Sequence, residues 1–455
     1  HWKLEQHNLA QKTTELKQDI PNAECWYNGK IMLSPNGKYI AGKTSTHKYQ
    51  VFDLETKKVL VSIDNLSLTN FHNLSQVLDF IPNTNQILLS IPNNKEDNPA
   101  EIVSKLAIID IDKATLEMQT DCPTFEGYIM SGHFNADGTK LVVGNDDYWG
   151  TIKWQVSLVD WETKQLVCNL EGHNSAVSHV RFEPKGKRIF SASLDGFINT
   201  WDIKSCALKA SMMAMNDLDY LIIMPDGYYK SSKNSYDGIC FRYSDKLYTF
   251  DQFDLRYNRP DKVLTSLGAS KYSVKIYTKA WEKRVRRLGF TSEMLQGDMD
   301  LPSLVWTNKN DLPLSVTSPT IDVKVKAEDK NNLLDRLVIT VNNVPVPTIN
   351  GYDLKGKKTK EFTQDFKAKL SYGSNLVKVS VVNEKGVESV RESVSINYEP
   401  NTKKQPNLYI YAIGVSEFAT AERNLKFATK DASDLIKQFQ SSNYFGNVIS
   451  KTVFN

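Results

Sequence analysis

The chain has 455 residues, 40% of them hydrophobic and 24% charged, ordinary proportions for a globular protein of about three domains. Its 56 basic and 53 acidic residues leave a formal charge of +3, too balanced to imply nucleic-acid or membrane-surface binding. No apolar run approaches the ~18 residues that cross a bilayer.

The opening stretch from His1 to Lys17 reads like the last strand of a repeat unit, so an internal fragment of a longer polypeptide is expected. A turn signature then recurs at Ser34-Pro35-Asn36-Gly37, Ile81-Pro82-Asn83-Thr84, Asn135-Ala136-Asp137-Gly138, Glu183-Pro184-Lys185-Gly186 and Met224-Pro225-Asp226-Gly227. The intervals are roughly 41 to 54 residues, close to propeller repeats. Short apolar strands follow each turn, such as Tyr39-Ile40-Ala41 and Leu141-Val142-Val143. Later strands end near Val51-Phe52-Asp53, Ile109-Asp110, Val159-Asp160-Trp161 and Thr200-Trp201-Asp202. Even spacing between turns predicts a β-propeller, here about four blades with a partial one at each side. Five cysteines (Cys25, Cys122, Cys168, Cys206 and Cys240) show no pairing rhythm and no C-x-x-C spacing. Buried free thiols in a reducing, cytoplasmic compartment are expected in preference to a disulfide framework.

The fullest repeat runs from Gly172-His173-Asn174 through Val177–Phe182 and Ser191-Ala192-Ser193-Leu194-Asp195-Gly196 to Trp201-Asp202. It resembles a WD repeat. The resemblance implies a hydrogen-bonded set of His173, Ser191 or Ser193, Asp195 and Trp201 inside one blade. A His beside Ser and Asp also fits a hydrolytic triad. Repeat position accounts for every member, so the structural reading is preferred. In the second repeat, Asn93-Asn94-Lys95-Glu96-Asp97-Asn98 is expected to be a loop insertion, a common binding feature of propellers.

After Asp226 the pattern breaks, although Tyr228-Tyr229 and Phe241-Arg242 still suit strands. The aromatic and charged segment Phe250–Asp261 resembles the junction of bacterial proteins that couple WD repeats to a caspase-like domain. It is expected to bury aromatics that fix the angle of the next domain. The propeller with this junction is assigned to residues 1–265, and a helical connector to 266–300. Within the connector, Val274, Tyr277, Trp281, Val285 and Leu288 predict a helix over Ser273–Leu288 that stops at Gly289. Its opposite face carries Lys283, Arg284, Arg286 and Arg287, which suit a solvated surface better than an anionic partner.

From 301 to 400 the period changes to two. Ile321, Val323, Val325 and Ala327 alternate with polar residues, as do Leu337, Ile339 and Val341, then Val377, Val379 and Val381, then Val394, Ile396 and Tyr398. Roughly seven such strands predict an immunoglobulin-like sandwich without its disulfide. Pro400–Pro406 reads as an exposed linker.

The last segment, 407–455, holds the apolar run Tyr409–Val415, then a polar loop. A helical pattern comes next, with Leu425, Ala428, Ala432, Leu435, Ile436 and Phe439 on one face, and then a strand over Asn447–Phe454. That is a parallel strand feeding a crossover helix. The residues Tyr409–Ser416, Asn424-Leu425 and Lys430–Leu435 resemble the start of caspase-like cysteine peptidases, particularly bacterial ones. The resemblance implies a His and a Cys on later strands. This chain has no His after His179 and no Cys after Cys240, so no catalytic residue is assigned in it. Ser416, Glu417 and Arg423, in the loop after the first strand, are the substrate-pocket candidates, and Asp431 is given a structural role in the helix's first turn.

The fold class expected is thus multidomain and mainly β: a partial WD-type propeller, an immunoglobulin-like sandwich and the first β-α-β unit of a caspase-like α/β domain. The function expected is the regulatory and partner-recognition part of a caspase-like endopeptidase, with its catalytic His and Cys beyond Asn455. The propeller would hold a protein partner and the complete peptidase would cut a peptide or protein. The alternative is a non-enzymatic scaffold with a degenerate caspase-like domain. No metal, cofactor, nucleic acid or membrane is assigned.

Overall fold

The computed structural model describes residues 2–8, 13–20, 26–64, 74–95, 101–146, 154–232, 234–235, 240–243, 245–295, 300–346, 348–402 and 405–455. The chain divides into two compact units, His1–Gly289 and Phe290–Asn455. The division falls inside the expected connector 266–300.

In the first unit a two-stranded ribbon, Trp2–Asn8 with Thr13–Ile20, precedes four four-stranded antiparallel blades. The first blade comprises Trp26–Leu33, Tyr39–Thr44, Lys48–Asp53 and Lys58–Asp64. The second comprises Gln76–Ile81, Gln86–Asn94, Ile102–Asp110 and Thr115–Gln119. The third runs Tyr128–Phe134, Lys140–Asp146, Gln155–Asp160 and Gln165–Glu171. The fourth runs Val177–Phe182, Arg188–Ser193, Phe197–Asp202 and Leu208–Ala214. Consecutive blades share apolar cores. Tyr49 and Val51 meet Ile87 and Leu89, Leu88 and Leu106 meet Leu141 and Val143, and Val142 and Leu158 meet Val180 and Ile189. Neighbouring residues of one strand, such as Leu141 and Val142, therefore serve opposite cores, as the period of two requires.

The five predicted turns form as backbone turns. Gly37, Gly138, Gly186 and Gly227 take positive φ and donate to the carbonyl three residues back. In the turn at Ile81, Thr84 donates to Ile81 in the same way, but the left-handed residue is Asn83, one position earlier, at φ 61°. The fifth turn departs from the expected partial blade. Its strands Tyr220–Ile223 and Tyr229–Ser231 extend the outer edge of the fourth sheet instead of opening a new one. The expected insertion also starts later than predicted. Asn93 and Asn94 are strand residues paired to Val103 and Ile102, Lys95 pairs with Glu101 at 3.0 Å, and Glu96–Asn98 lie outside the described residues.

Helices α1 (Asp254–Tyr257), α2 (Pro260–Ser266) and α3 (Lys271–Arg287) close the unit. Ser270 caps α3 by accepting from the Ser273 amide, and Gly289 ends it at φ 78°. The aromatic junction packs onto the unit's own last hairpins. Tyr229, Phe241, Phe253 and Tyr257 stand in a chain of ring contacts of 4.9–6.1 Å. The buried Asp254 accepts from Tyr229 Oη and Asn258 and pairs with Arg284. Trp281 Nε1 donates to Leu255 O at 3.0 Å beneath the Arg259 guanidinium. Arg284, one of the four residues assigned to the solvated face, thus has a structural partner.

In the second unit two sheets enclose one core. One holds Ser303–Trp306, Thr320–Glu328 and Glu361–Lys369. The other is built around Leu334–Val341, Gly373–Asn383 and Glu392–Tyr398. Burial alternates along Thr320–Glu328 as its sequence does, with Ile321, Val323, Val325 and Ala327 inside. The unit ends in a parallel pair, Leu408–Gly414 with Val448–Phe454, connected through α4 (Ala428–Gln440). The expected apolar face of this helix is only partly buried. Ile436 is 6% exposed, whereas Leu425, outside the helix, and Leu435 are 53% and 54% exposed, because two strands offer too little surface to cover it.

One cysteine expectation fails. Cys168 and Cys206 form a disulfide that joins the last strand of the third blade to the turn after the third strand of the fourth. Cys122 is free and half-buried, Cys240 is free but exposed, and Cys25 lies outside the described residues. Closing a 38-residue separation stabilises the unit by about 3–4 kcal/mol on chain-entropy grounds. Alkylation under denaturing, non-reducing conditions should therefore leave the Cys168 and Cys206 peptides linked until reductant is added. Recovery of both as alkylated thiols would reject the pairing.

Candidate functional site

The fourth blade contains the hydrogen-bonded set anticipated from its repeat. Trp201 Nε1 donates to Ser191 Oγ at 2.7 Å, and Ser191 Oγ stands 2.8 Å from His173 Nε2. His173 Nδ1 lies 3.0 Å from Asp195 Oδ2. A carboxylate facing Nδ1 requires the proton there, so Nε2 accepts from the Ser191 hydroxyl and the chain of donors runs in one direction. Of the two candidate serines, Ser191 is the member. Ser193 instead donates to Ser175 O and accepts from the Asp195 amide. Burial alone would raise the Asp195 carboxyl, but the amides of Asn174 and Phe197, together with His173, hold it below the usual carboxylate range.

These contacts match the connectivity of a Ser-His-Asp triad, so position decides the chemistry. Ser191 and Trp201 are each 1% exposed. The serine oxygen accepts an indole N–H while its own proton faces His173, and at 1% exposure no substrate carbonyl reaches it. The set holds the blade together.

A second repeated device was missed in the sequence. Asp53, Asp110, Asp160 and Asp202 each end a third strand and accept from backbone amides of the following turn, chiefly those of Thr56, Lys113, Thr163 and Ser205. Those bonds lower all four carboxyls. Four residues beyond each Asp the backbone turns left-handed, at Lys57, Ala114, Lys164 and Cys206. The recurring Asp was visible, but the residues at the strained position share no side-chain type that would have marked it.

A third device ties blade to blade. Asp79, His133 and Arg181 occupy the same place on consecutive first strands, each just before a Phe. Asp79 Oδ2 accepts the Phe134 amide of the next blade at 2.9 Å, and His133 Nδ1 accepts the Phe182 amide of the next at 3.2 Å. Burial raises Asp79 to about 6, and it lowers His133 to about 4 with help from Arg181.

The pocket candidates divide. The Ser416 and Glu417 amides both donate to Asn455 Oδ1, at 2.7 and 3.2 Å, and Asn455 Nδ2 returns a bond to Glu417 O. Ser416 Oγ also accepts from the Thr429 amide in the first turn of α4. Arg423 is exposed on a short 3-10 turn, and no contact joins its side chain to the other two. Asp431 is exposed in the first turn of α4. Gly414 fixes this corner, because a Cβ there would stand 2.8 Å from Thr429 Cα. Among the described residues, no group of three His, Cys, Asp or Glu is placed to hold a metal ion, and no helix is long and apolar enough to cross a membrane.

The WD domain, G-beta repeat model matches residues 164–202, the repeat that carries the set. The human "WD repeat and HMG-box DNA-binding protein 1" is 34% identical over 78 residues, 17% of this chain and 6% of that protein. "WD repeat-containing protein 36", also human, is 34% identical over 55 residues, 12% of this chain and 6% of its own length. The fission-yeast "U3 small nucleolar RNA-associated protein 21 homolog" is 32% identical over 74 residues, 16% and 8% respectively. The chain thus spans less than a tenth of each relative. It contains a WD40 repeat in a mainly β, propeller-like fold.

The polar set can be tested by stability. Ser191→Ala orphans the Trp201 N–H and leaves His173 Nε2 without its donor, so it should cost about 2–4 kcal/mol in chemical denaturation; an unchanged midpoint would contradict the set. The blade-to-blade device can be tested by pH. As pH falls from about 6.5, keeping His133 neutral costs stability until about 4, whereas Asp79, protonated below about 6 when folded but only below ~3.9 when unfolded, returns stability over much of that window. Asp79→Asn should therefore steepen the loss of thermal stability between about pH 6 and 4, and His133→Gln should convert it into a gain. Parallel pH profiles for wild type and both variants would refute the assignment.

Proposed function

We propose that this chain is the partner-recognition part of a larger protein, a scaffold whose blades present loops to a protein partner. The observation that carries this reading is the sealing of His173, Ser191, Asp195 and Trp201 inside the fourth blade. The residues that most resemble a reaction centre are consumed in holding the sheet together, which leaves the blade rims for recognition. The +3 net charge argues against a broad electrostatic grip on nucleic acid. The Cys168–Cys206 bond weighs toward an oxidising compartment and against the cytoplasmic placement expected from sequence.

The finer reading, also a proposal, is that the scaffold serves a caspase-like cysteine endopeptidase. Its support is the parallel pair Leu408–Gly414 and Val448–Phe454 joined through α4, in the order that fold begins. Residues 407–455 contain neither His nor Cys, so the nucleophile and its proton carrier belong to the parent protein's further strands in this reading. The immunoglobulin-like character of the sandwich is likewise proposed, as a spacer without chemistry of its own.

The test separates the two readings. Purified chain should fail to cleave peptides ending in Asp, Arg or Lys, and it should not react with a thiol-directed peptidase probe. Crosslinks to a co-purified partner should map to loops of His1–Gly289. A parent protein that labels with the probe at a Cys beyond this sequence supports the peptidase reading. Turnover by this chain alone, lost in Ser191→Ala, would overturn the scaffold.

A further inference from the structure

Helix α3 carries lysines at four-residue steps, Lys271, Lys275 and Lys279, continued by Lys283. Each four-residue step advances the helix by about 6 Å and turns it by about 40°, so Lys271, Lys275 and Lys279 form a slowly winding ladder from which Lys283 has turned furthest. The first three border an open groove of about 550 Å³ between α2 and α3. Val274 and Ala269 form its apolar floor, and Thr265 and Thr278 lie on its wall. Among the described residues no carboxylate stands within ion-pairing distance of the three lysines; the ion pairs in this region are Arg284 with Asp254 and Arg259 with Asp261. Among the described residues the only acid on the groove is Glu282, at the end away from Lys271.

We propose that this groove docks an acidic segment of a protein partner, with carboxylates on the lysine ladder and one apolar side chain on the Val274–Ala269 floor. Three observations favour a peptide over a nucleic-acid strand. The whole chain carries only +3, with 53 acidic residues against 56 basic ones, so no broad basic surface extends the lysine row. The groove lining has an aliphatic floor and no aromatic platform on which bases could stack. Glu282 would repel a continuing phosphate backbone, yet it can pair with a basic residue at one end of a peptide, which gives the site a direction. The ladder begins at the N-terminal turn of α3, where the helix dipole adds to the attraction for carboxylates. This site lies off the blades and does not depend on the recognition surface proposed for them.

The test uses the whole chain and fluorescence anisotropy with a short glutamate-rich peptide carrying one leucine. Its glutamine counterpart and a single-stranded oligonucleotide of equal charge serve as competitors. Binding should weaken with salt, and it should fall at least ~10-fold in Lys275→Glu/Lys279→Glu. Lys275→Gln/Lys279→Gln should give an intermediate loss, and Val274→Asp should remove the preference for the leucine. Lys426→Glu/Lys430→Glu, exposed elsewhere, should bind as wild type, and all variants should keep the wild-type melting temperature. Equal affinity of the wild type and the charge-reversed protein, absence of peptide binding, or tighter binding of the oligonucleotide through the same lysines would each overturn the proposal. Blade-rim crosslinks would be unaffected by any of these outcomes.

Discussion

The second and third blades of the first unit are apolar on both faces, and each face is buried in a core shared with a neighbour. Residues one apart on the same strand supply opposite cores, so a blade gains its stability only by standing between neighbours. This constraint brings backbones close where side chains must disappear. A Cβ on Gly144 would stand 2.5 Å from Val177 of the next blade, and one on Gly132 would stand 3.1 Å from Leu78 of the previous one. Close contact accounts for glycine at these points, more sharply at Gly144 than at Gly132, since neither position has positive φ.

Apolar packing sets the distance between blades but fixes no register, and polar atoms supply it. Asp79 and His133 each accept a particular amide from the next first strand, and the Ser131 hydroxyl accepts from Val180. A carboxylate and an imidazole are costly choices for such half-buried positions, as their opposed displacements to about 6 and about 4 record. Their geometry repays part of that cost, because an amide at the core edge would otherwise lack a partner. The same logic explains the fourth-blade set, where three side chains and an indole satisfy each other.

Features set by local pattern were legible in the sequence. The turns, the alternating strands at Ile321–Ala327 and the end of α3 at Gly289 all rest on residues a few positions apart, and the strand-helix-strand order around α4 was legible from its local periods. Features set by distant pairing were not. Cys168 and Cys206 meet only because Cys206 sits on the left-handed turn that follows Asp202. The strands flanking Asp226, Tyr220–Ile223 and Tyr229–Ser231, kept their hairpin pattern, yet no residue announced that they would join the outer edge of the fourth sheet. At the candidate site, repeat position named His173, Asp195 and Trp201 but left two serines open, since the choice depends on which hydroxyl the indole reaches.

The last unit shows how far a sequence can state an environment that the surrounding structure only partly supplies. A parallel strand covered on both faces reads as an unbroken apolar run, and Tyr409–Val415 is such a run. Ile410 and Ala412 are half-buried, while Tyr409, Tyr411 and Ile413, on the other face, are 71%, 61% and 64% exposed. Gly414 lets the helix approach so closely that any side chain would collide with Thr429, and Asn455 clasps the loop at Ser416 and Glu417. The strand's helix face and the loop are therefore tightly specified, whereas its second face is apolar without a matching cover. That mismatch is what the proposed α/β peptidase reading accounts for, since further layers of such a domain would bury Tyr409, Tyr411 and Ile413. In a free-standing scaffold the same three side chains would be a standing liability for association.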